Sequence, residues 1–147
     1  MKKEFVLLFL VCFFSCTSGF LSFGSDEETI SPTPEQVAIC RNEMYLNQIL
    51  PIEPLGYKLL GSGIDDAIWF KFKTEEKNIS EYFSKNAVNT DNFKHDFQMF
   101  PEDISWWDVE NKKFFGGNAE LPNVKFMTIA IEEKTDYNVV YIMWHET

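Results

Sequence analysis

Cysteine is scarce where a fold could use it. Of the three in the chain, Cys12 and Cys16 lie in an apolar leader, and Cys40 is then the only thiol left to the rest. A disulfide framework is excluded, so stability has to come from packing. With no His or Lys beside it in sequence to favour a thiolate, Cys40 reads as a small buried helix residue. Basic residues are scarce as well: 13 Lys and Arg stand against 23 Asp and Glu, a formal net charge of −10. No basic stripe interrupts that pattern. Such a surface repels phosphate backbones and anionic headgroups, which excludes nucleic acid as a partner and leaves membrane attachment to the N-terminal segment alone. Histidine occurs twice. His145-Glu146 opens like a zinc-protease motif, but only Thr147 follows and the second His is missing.

What the chain does have is aromatic residues, 16% of the total, enough to build a core without covalent staples once the leader is set aside. That leader is Met1-Lys2-Lys3-Glu4 followed by the apolar run Phe5–Phe14. It has the charged start and short apolar stretch of an export signal, and ten strongly apolar residues fall short of the roughly 20 that a bilayer span needs. Residues 1–19 are therefore expected to be the signal. Three fates are open to it. Phe13-Phe14-Ser15-Cys16 can serve as a loose lipoprotein box that makes Cys16 the lipid-bearing first residue. Cleavage after Gly19 or Gly24 would release a soluble chain. Without cleavage, the uncharged stretch Phe5–Ser25 would hold the chain in a membrane, with Lys2 and Lys3 inside. Each of the three places the domain outside the cytoplasm.

Residues 20–33, rich in Ser, Gly, Asp and Glu, read as a tether, and residues 34–147 as one domain. Thr33-Pro34-Glu35 supplies a cap, a first-turn Pro and a first-turn acid ahead of Val37, Cys40, Met44 and Ile49, which predicts a helix from Pro34 to Leu50. Gly56–Leu60 predicts a short strand leading to the turn Gly61–Asp66. In Ala67–Lys73, Ile68, Phe70 and Phe72 alternate with Trp69, Lys71 and Lys73, a strand with one core face. Glu75–Lys85 and Asn92–Met99 predict two further short helices, and Trp106–Val109 a short strand. Val124–Glu132 and Tyr137–His145 predict a C-terminal hairpin whose register sets Met127, Ile129 and Ile131 across from Trp144, Val140 and near-neighbour Ile142 on one face. The other side of that hairpin is largely apolar too, so it needs covering on both faces. The expected class is α+β: a mainly antiparallel sheet with a C-terminal β-hairpin, packed by an N-terminal helix and one or two short helices.

Few residue sets offer chemistry. Gly61-Ser62-Gly63 lacks the Lys-Ser/Thr of a phosphate loop and reads as a turn. Asp65 and Asp66 are paired carboxylates at a strand entrance, where turn capping is their usual role; together with His95 they are the candidate machinery of a small hydrolase. Asp91, His95 and Asp96 place a carboxylate and an imidazole at metal-ligand spacing if they share a helix, but nothing elsewhere supplies a third ligand, and neither a metal nor a cofactor is expected. Asn78-Ile79-Ser80 is a glycosylation sequon that matters only in a eukaryotic source. Trp106-Trp107-Asp108 is the most suggestive set, because neighbours in a strand point to opposite faces. One indole should then be exposed, and with Trp69 and Asp108 it would form an aromatic recognition surface.

Gly61–Ala67 running into Phe70-Lys71-Phe72, then Trp106-Trp107 and the closing strand Val139-Val140-Tyr141, resembles a diffuse set of small exported bacterial proteins and lipoproteins of unknown function. The resemblance spans about the last 90 residues of the chain; it implies a bacterial envelope setting and no catalytic residues. The expectation is a non-enzymatic, envelope-associated domain binding a protein or cell-wall component. A hydrolase using Asp65, Asp66 and His95, and a secreted inhibitor or immunity-type protein whose acidity suits a basic target, stand as the alternatives.

Overall fold

The computed structural model describes residues 25–61, 65–84 and 87–146. The leader with Cys16, and Ser62-Gly63 of the glycine-rich turn, lie outside the described residues. Within them the fold is an antiparallel sheet of seven strands with one α-helix. In chain order these are β1 (Glu27–Thr29), α1 (Pro34–Glu43), β2 (Glu53–Leu60), β3 (Ala67–Thr74), β4 (Lys94–Phe97), β5 (Phe114–Leu121), β6 (Lys125–Glu133) and β7 (Asn138–Glu146). Across the sheet they run β1-β2-β3-β7-β6-β5-β4. The stretch expected as tether thus contributes the edge strand β1, which Gln36 Nε2 ties to the helix by donating to Glu27 at 3.0 Å.

The start of α1 is a full capping box: Gln36 N donates to Thr33 Oγ1 at 3.3 Å and Thr33 N donates to Gln36 Oε1 at 2.9 Å. Its end comes seven residues before the expected Leu50. Tyr45 adopts φ 53°, and Arg41 reaches past the helix end to donate to the carbonyls of Asn47 (2.6 Å) and Leu50 (2.8 Å), folding the next segment back as a loop. Ile49, expected on the buried face, is 86% exposed. Strand β2 starts at Glu53 rather than Gly56 because β1 pairs only with Tyr57–Leu59, leaving Pro54 on a free edge where its missing N–H does no harm.

Two expected helices are absent. Between Glu75 and Ser84 only a 3₁₀ turn forms, Ile79–Glu81, because local side chains take the backbone groups that a helix needs. Asn78 N donates to Glu76 Oε1 (2.7 Å), Ser80 N to Asn78 Oδ1 (3.3 Å), and the Tyr82 hydroxyl to the Glu76 carbonyl (2.7 Å). Asn92–Met99 becomes a 3₁₀ turn and β4. Phe93 and Phe97, equally spaced for a helix, instead reach opposite faces of the sheet, where Gly117 and Gly116 leave room for them: a Cβ at Gly117 would lie 3.0 Å from Phe93, and one at Gly116 3.0 Å from Phe97.

Strands β6 and β7 pair Met127 with Trp144, Ile129 with Ile142 and Ile131 with Val140. These side chains, with Ile68, Phe70 and Phe72, form the first core, covered by Cys40 and Met44 of α1 and by Leu46, Leu50, Tyr82, Phe83 and Phe93. Burial pushes the Cys40 thiol pKa well up, consistent with an inert core residue. The opposite face carries Trp69, Ala130, Val139 and Tyr141 and is covered by the β4–β5 connection through Met99, Ile104, Trp106, Trp107 and Val109.

Candidate functional site

The second face gathers all four residues singled out as a recognition surface, yet it does not expose the indoles. Trp69, Trp106 and Trp107 are 6%, 8% and 4% exposed. The strand expected at Trp106–Val109 is a chain of turns, in which Trp107 N donates to the Ile104 carbonyl (3.0 Å) and Val109 N to that of Trp107 (2.9 Å). Alternation between faces does not apply there, so adjacent indoles both turn inward. Trp106 lies on Gly56, and it packs edge-on against Trp107 (5.7 Å, 83°), which packs edge-on against Tyr141 (5.4 Å, 82°). The exposed tryptophan surface is thus corrected to a second hydrophobic core.

Asp108 is the polar clasp of this core. It accepts hydrogen bonds from Lys71 Nζ (2.5 Å), Lys112 Nζ (2.8 Å) and the Tyr141 hydroxyl (3.0 Å). Lys71 also donates to the Trp106 carbonyl (3.1 Å), and Lys112 to Glu132 (3.3 Å), whose other oxygen accepts from Lys134 (2.6 Å). Burial raises the Asp108 pKa, but the bonds from Lys112 and Lys71 outweigh it and hold the carboxyl well below the usual range. Burial likewise opposes the charge on Lys112, and Asp108 and Tyr141 more than restore it. Desolvation pushes the Tyr141 hydroxyl up. These shifts keep Asp108 and Lys112 charged and Tyr141 neutral near neutrality, so the network suits anchoring rather than proton transfer. It fastens the β4–β5 connection to β3, β6 and β7.

A pH dependence follows. Because the folded-state pKa of Asp108 lies below its unfolded value, its stabilisation is complete above the carboxyl range near pH ~4 and disappears as pH falls through the folded value. Half of its side chain faces water, so Asp108→Asn is expected to lose only about 1 kcal/mol at pH 7. Urea unfolding at pH 7 and pH 3 checks this: the gap between wild type and variant should narrow at the lower pH. An unchanged gap would show that the charge is not its source.

What remains open on this face is a groove of about 560 Å3 lined by Phe100, Asn118, Glu120, Phe126, Thr128 and His145. Its position follows from register: Glu120 pairs with Phe126 and Phe126 with His145, while Asn118 pairs with Thr128, so two rows of β5–β6–β7 place these side chains on one face. The Phe126 and His145 rings stack, with centroids 5.6 Å apart and planes at 23°. Thr128 Oγ1 donates to Asn118 Oδ1 at 3.0 Å. Phe100, from the β4–β5 connection, is 82% exposed. The apolar second side of the hairpin was expected but the groove on it was not, because the segment just before Phe100, Asn92–Met99, was expected to be a helix.

The hydrolase set is not assembled. Asp65 and Asp66 precede β3, whereas His95 sits on β4 stacked on Phe115 at 4.9 Å. Three strands separate β3 from β4, which puts them roughly 19 Å apart across the sheet at ordinary strand spacing. Asp91 and His95 share no helix, and Asp91 N donates to Asn89 Oδ1 at 3.0 Å. The Asn78–Ser80 sequon is a local cap. Among the described residues no three His, Cys, Asp or Glu side chains converge as a metal site requires, and no helix is long and apolar enough to cross a membrane. No protein-family model, no curated protein and no solved structure matches the chain.

Proposed function

We propose that the chain is an exported, envelope-associated, non-enzymatic domain that binds a protein or a cell-wall component through an aromatic surface. The groove between Phe100 and the Phe126–His145 stack is that surface, in place of the buried indoles. The observation that carries this reading is the exposed Phe100 ring beside a second, half-buried ring pair, a contiguous apolar patch bordered by polar side chains. The C-terminal hairpin supplies the groove's floor and the helix on the opposite face backs it. This gives the surface a rigid base.

A titration followed by amide spectra tests the reading, using small probes that carry an aromatic ring, a sugar or an amine. Shifts should concentrate at residues 118–120, 126–128 and 145. Shifts confined to other regions, or none, would remove the groove as the recognition site. The envelope setting is supported by the leader and by the resemblance to small exported proteins and lipoproteins. With Cys16 as the lipidated first residue, the intact mass of the protein from its native source should match a diacylated or triacylated chain beginning there. An unmodified chain starting at Phe20 or Ser25 would overturn lipidation.

A further inference from the structure

We infer that the groove receives a lysine or arginine side chain of a partner protein. The inference rests on the groove reading above and adds the chemistry of the occupant. Its polar end offers mainly acceptors: the Glu120 carboxylate, the Thr128 hydroxyl and Asn118 Oδ1, which accepts from Thr128 and keeps a second lone pair. Glu120 is exposed and, like most acids on this surface, has no ion-pair partner among the described residues, so its carboxylate is available to a cation. Neither Lys nor Arg lines the groove. An anionic ligand would therefore meet a carboxylate and no ammonium or guanidinium.

The apolar part fits the other half of such a side chain. Phe100 and the Phe126–His145 stack offer ring faces and edges along which an aliphatic stem can lie before its charged head reaches Glu120, and a cation above a ring gains a further attraction. A neutral sugar fits less well, since the indoles that would stack with it are buried and, besides the Thr128 hydroxyl already bonded to Asn118, only Asn118 and the His145 ring offer side-chain donors in the groove. The net charge of −10 extends the preference beyond the groove, steering a basic protein surface toward this face.

The test uses the full chain and three probes: a blocked Gly-Leu-Lys-Leu-Gly peptide, the same peptide with Gln for Lys, and a β-1,4-linked N-acetylglucosamine tetramer. Amide shifts at residues 118–120, 126–128 and 145 report occupancy. The Lys peptide should bind and the Gln peptide bind several-fold more weakly, and raising the salt should weaken the Lys peptide alone. Glu120→Gln should weaken the Lys peptide about fivefold, the loss expected of one exposed ion pair. Phe126→Ala should weaken both peptides. Equal binding of the two peptides, or an unchanged affinity in Glu120→Gln, overturns the basic occupant. Occupancy by the sugar without the Lys peptide overturns it while leaving the groove as the recognition site. Failure of all three probes overturns both.

Discussion

Gly56→Ala is expected to disturb the second core at Trp106. A Cβ at this position would lie 2.3 Å from Cε3 and 2.4 Å from Cδ2 of Trp106, inside any real contact distance, and the indole is wedged between Gly56 and Trp107 with little room to retreat. Overpacking of this kind costs about 1–3 kcal/mol. Trp106→Ala should cost more, about 3–5 kcal/mol, by emptying the same site. The two are coupled: with the indole gone, the added methyl has space, so the double variant should be more stable than the sum of the single losses implies. Denaturant unfolding of all four proteins checks this. Strict additivity would mean that Trp106 does not rest on Gly56.

The second large effect is expected at Ile129, which is 0% exposed and paired with Ile142 in the first core. Ile129→Ala should destabilise by about 2–5 kcal/mol. A loss under about 1 kcal/mol, the size of a typical surface change, would show that the side chain does not face the core. Ile49→Ala makes a direct contrast. Both residues are apolar, but Ile49 is 86% exposed, so its replacement should fall within about 0.5 kcal/mol of wild type.

The sheet-rich class was legible in the sequence because period-two alternation is strong where the two faces of a strand meet unlike surroundings, as in Ala67–Lys73, whose Lys71 and Lys73 alternate with core residues. Ile68, Phe70 and Phe72 needed no tertiary knowledge to be placed on one face. The 75–99 stretch was not legible, for two reasons visible in the structure. Asn78, Ser80 and Glu76 satisfy one another's backbone locally and so outcompete helix formation. Phe93 and Phe97 have helical spacing but answer to glycines 24 and 19 residues away, at 117 and 116, a match that no local window contains. Trp106 and Trp107 were assigned opposite faces on the assumption of a strand, and turn hydrogen bonds cancelled that geometry. Beside its near neighbour Lys112, the Asp108 clasp draws on Lys71, Glu132 and Tyr141 from three distant strands. Only the sheet order brings them together. The groove was missed for the same reason, since its walls belong to the β4–β5 connection and to the sheet.

Strand β7 pairs with β3 on one side and β6 on the other, so the last strand in sequence lies in the middle of the sheet. The β3–β7 ladder joins Ala67 to His145 and Thr74 to Asn138, partners more than 60 residues apart. Until Asn138–Glu146 is available, β1–β3 and β4–β6 are two fragments with no shared hydrogen bonds across the sheet's centre, and neither core can close. Such dependence on distant pairing makes for slow, all-or-none folding. A nascent chain with this topology stays open until its final strand has emerged. During the export proposed above, the order of the strands would by itself delay folding until the last of them is across.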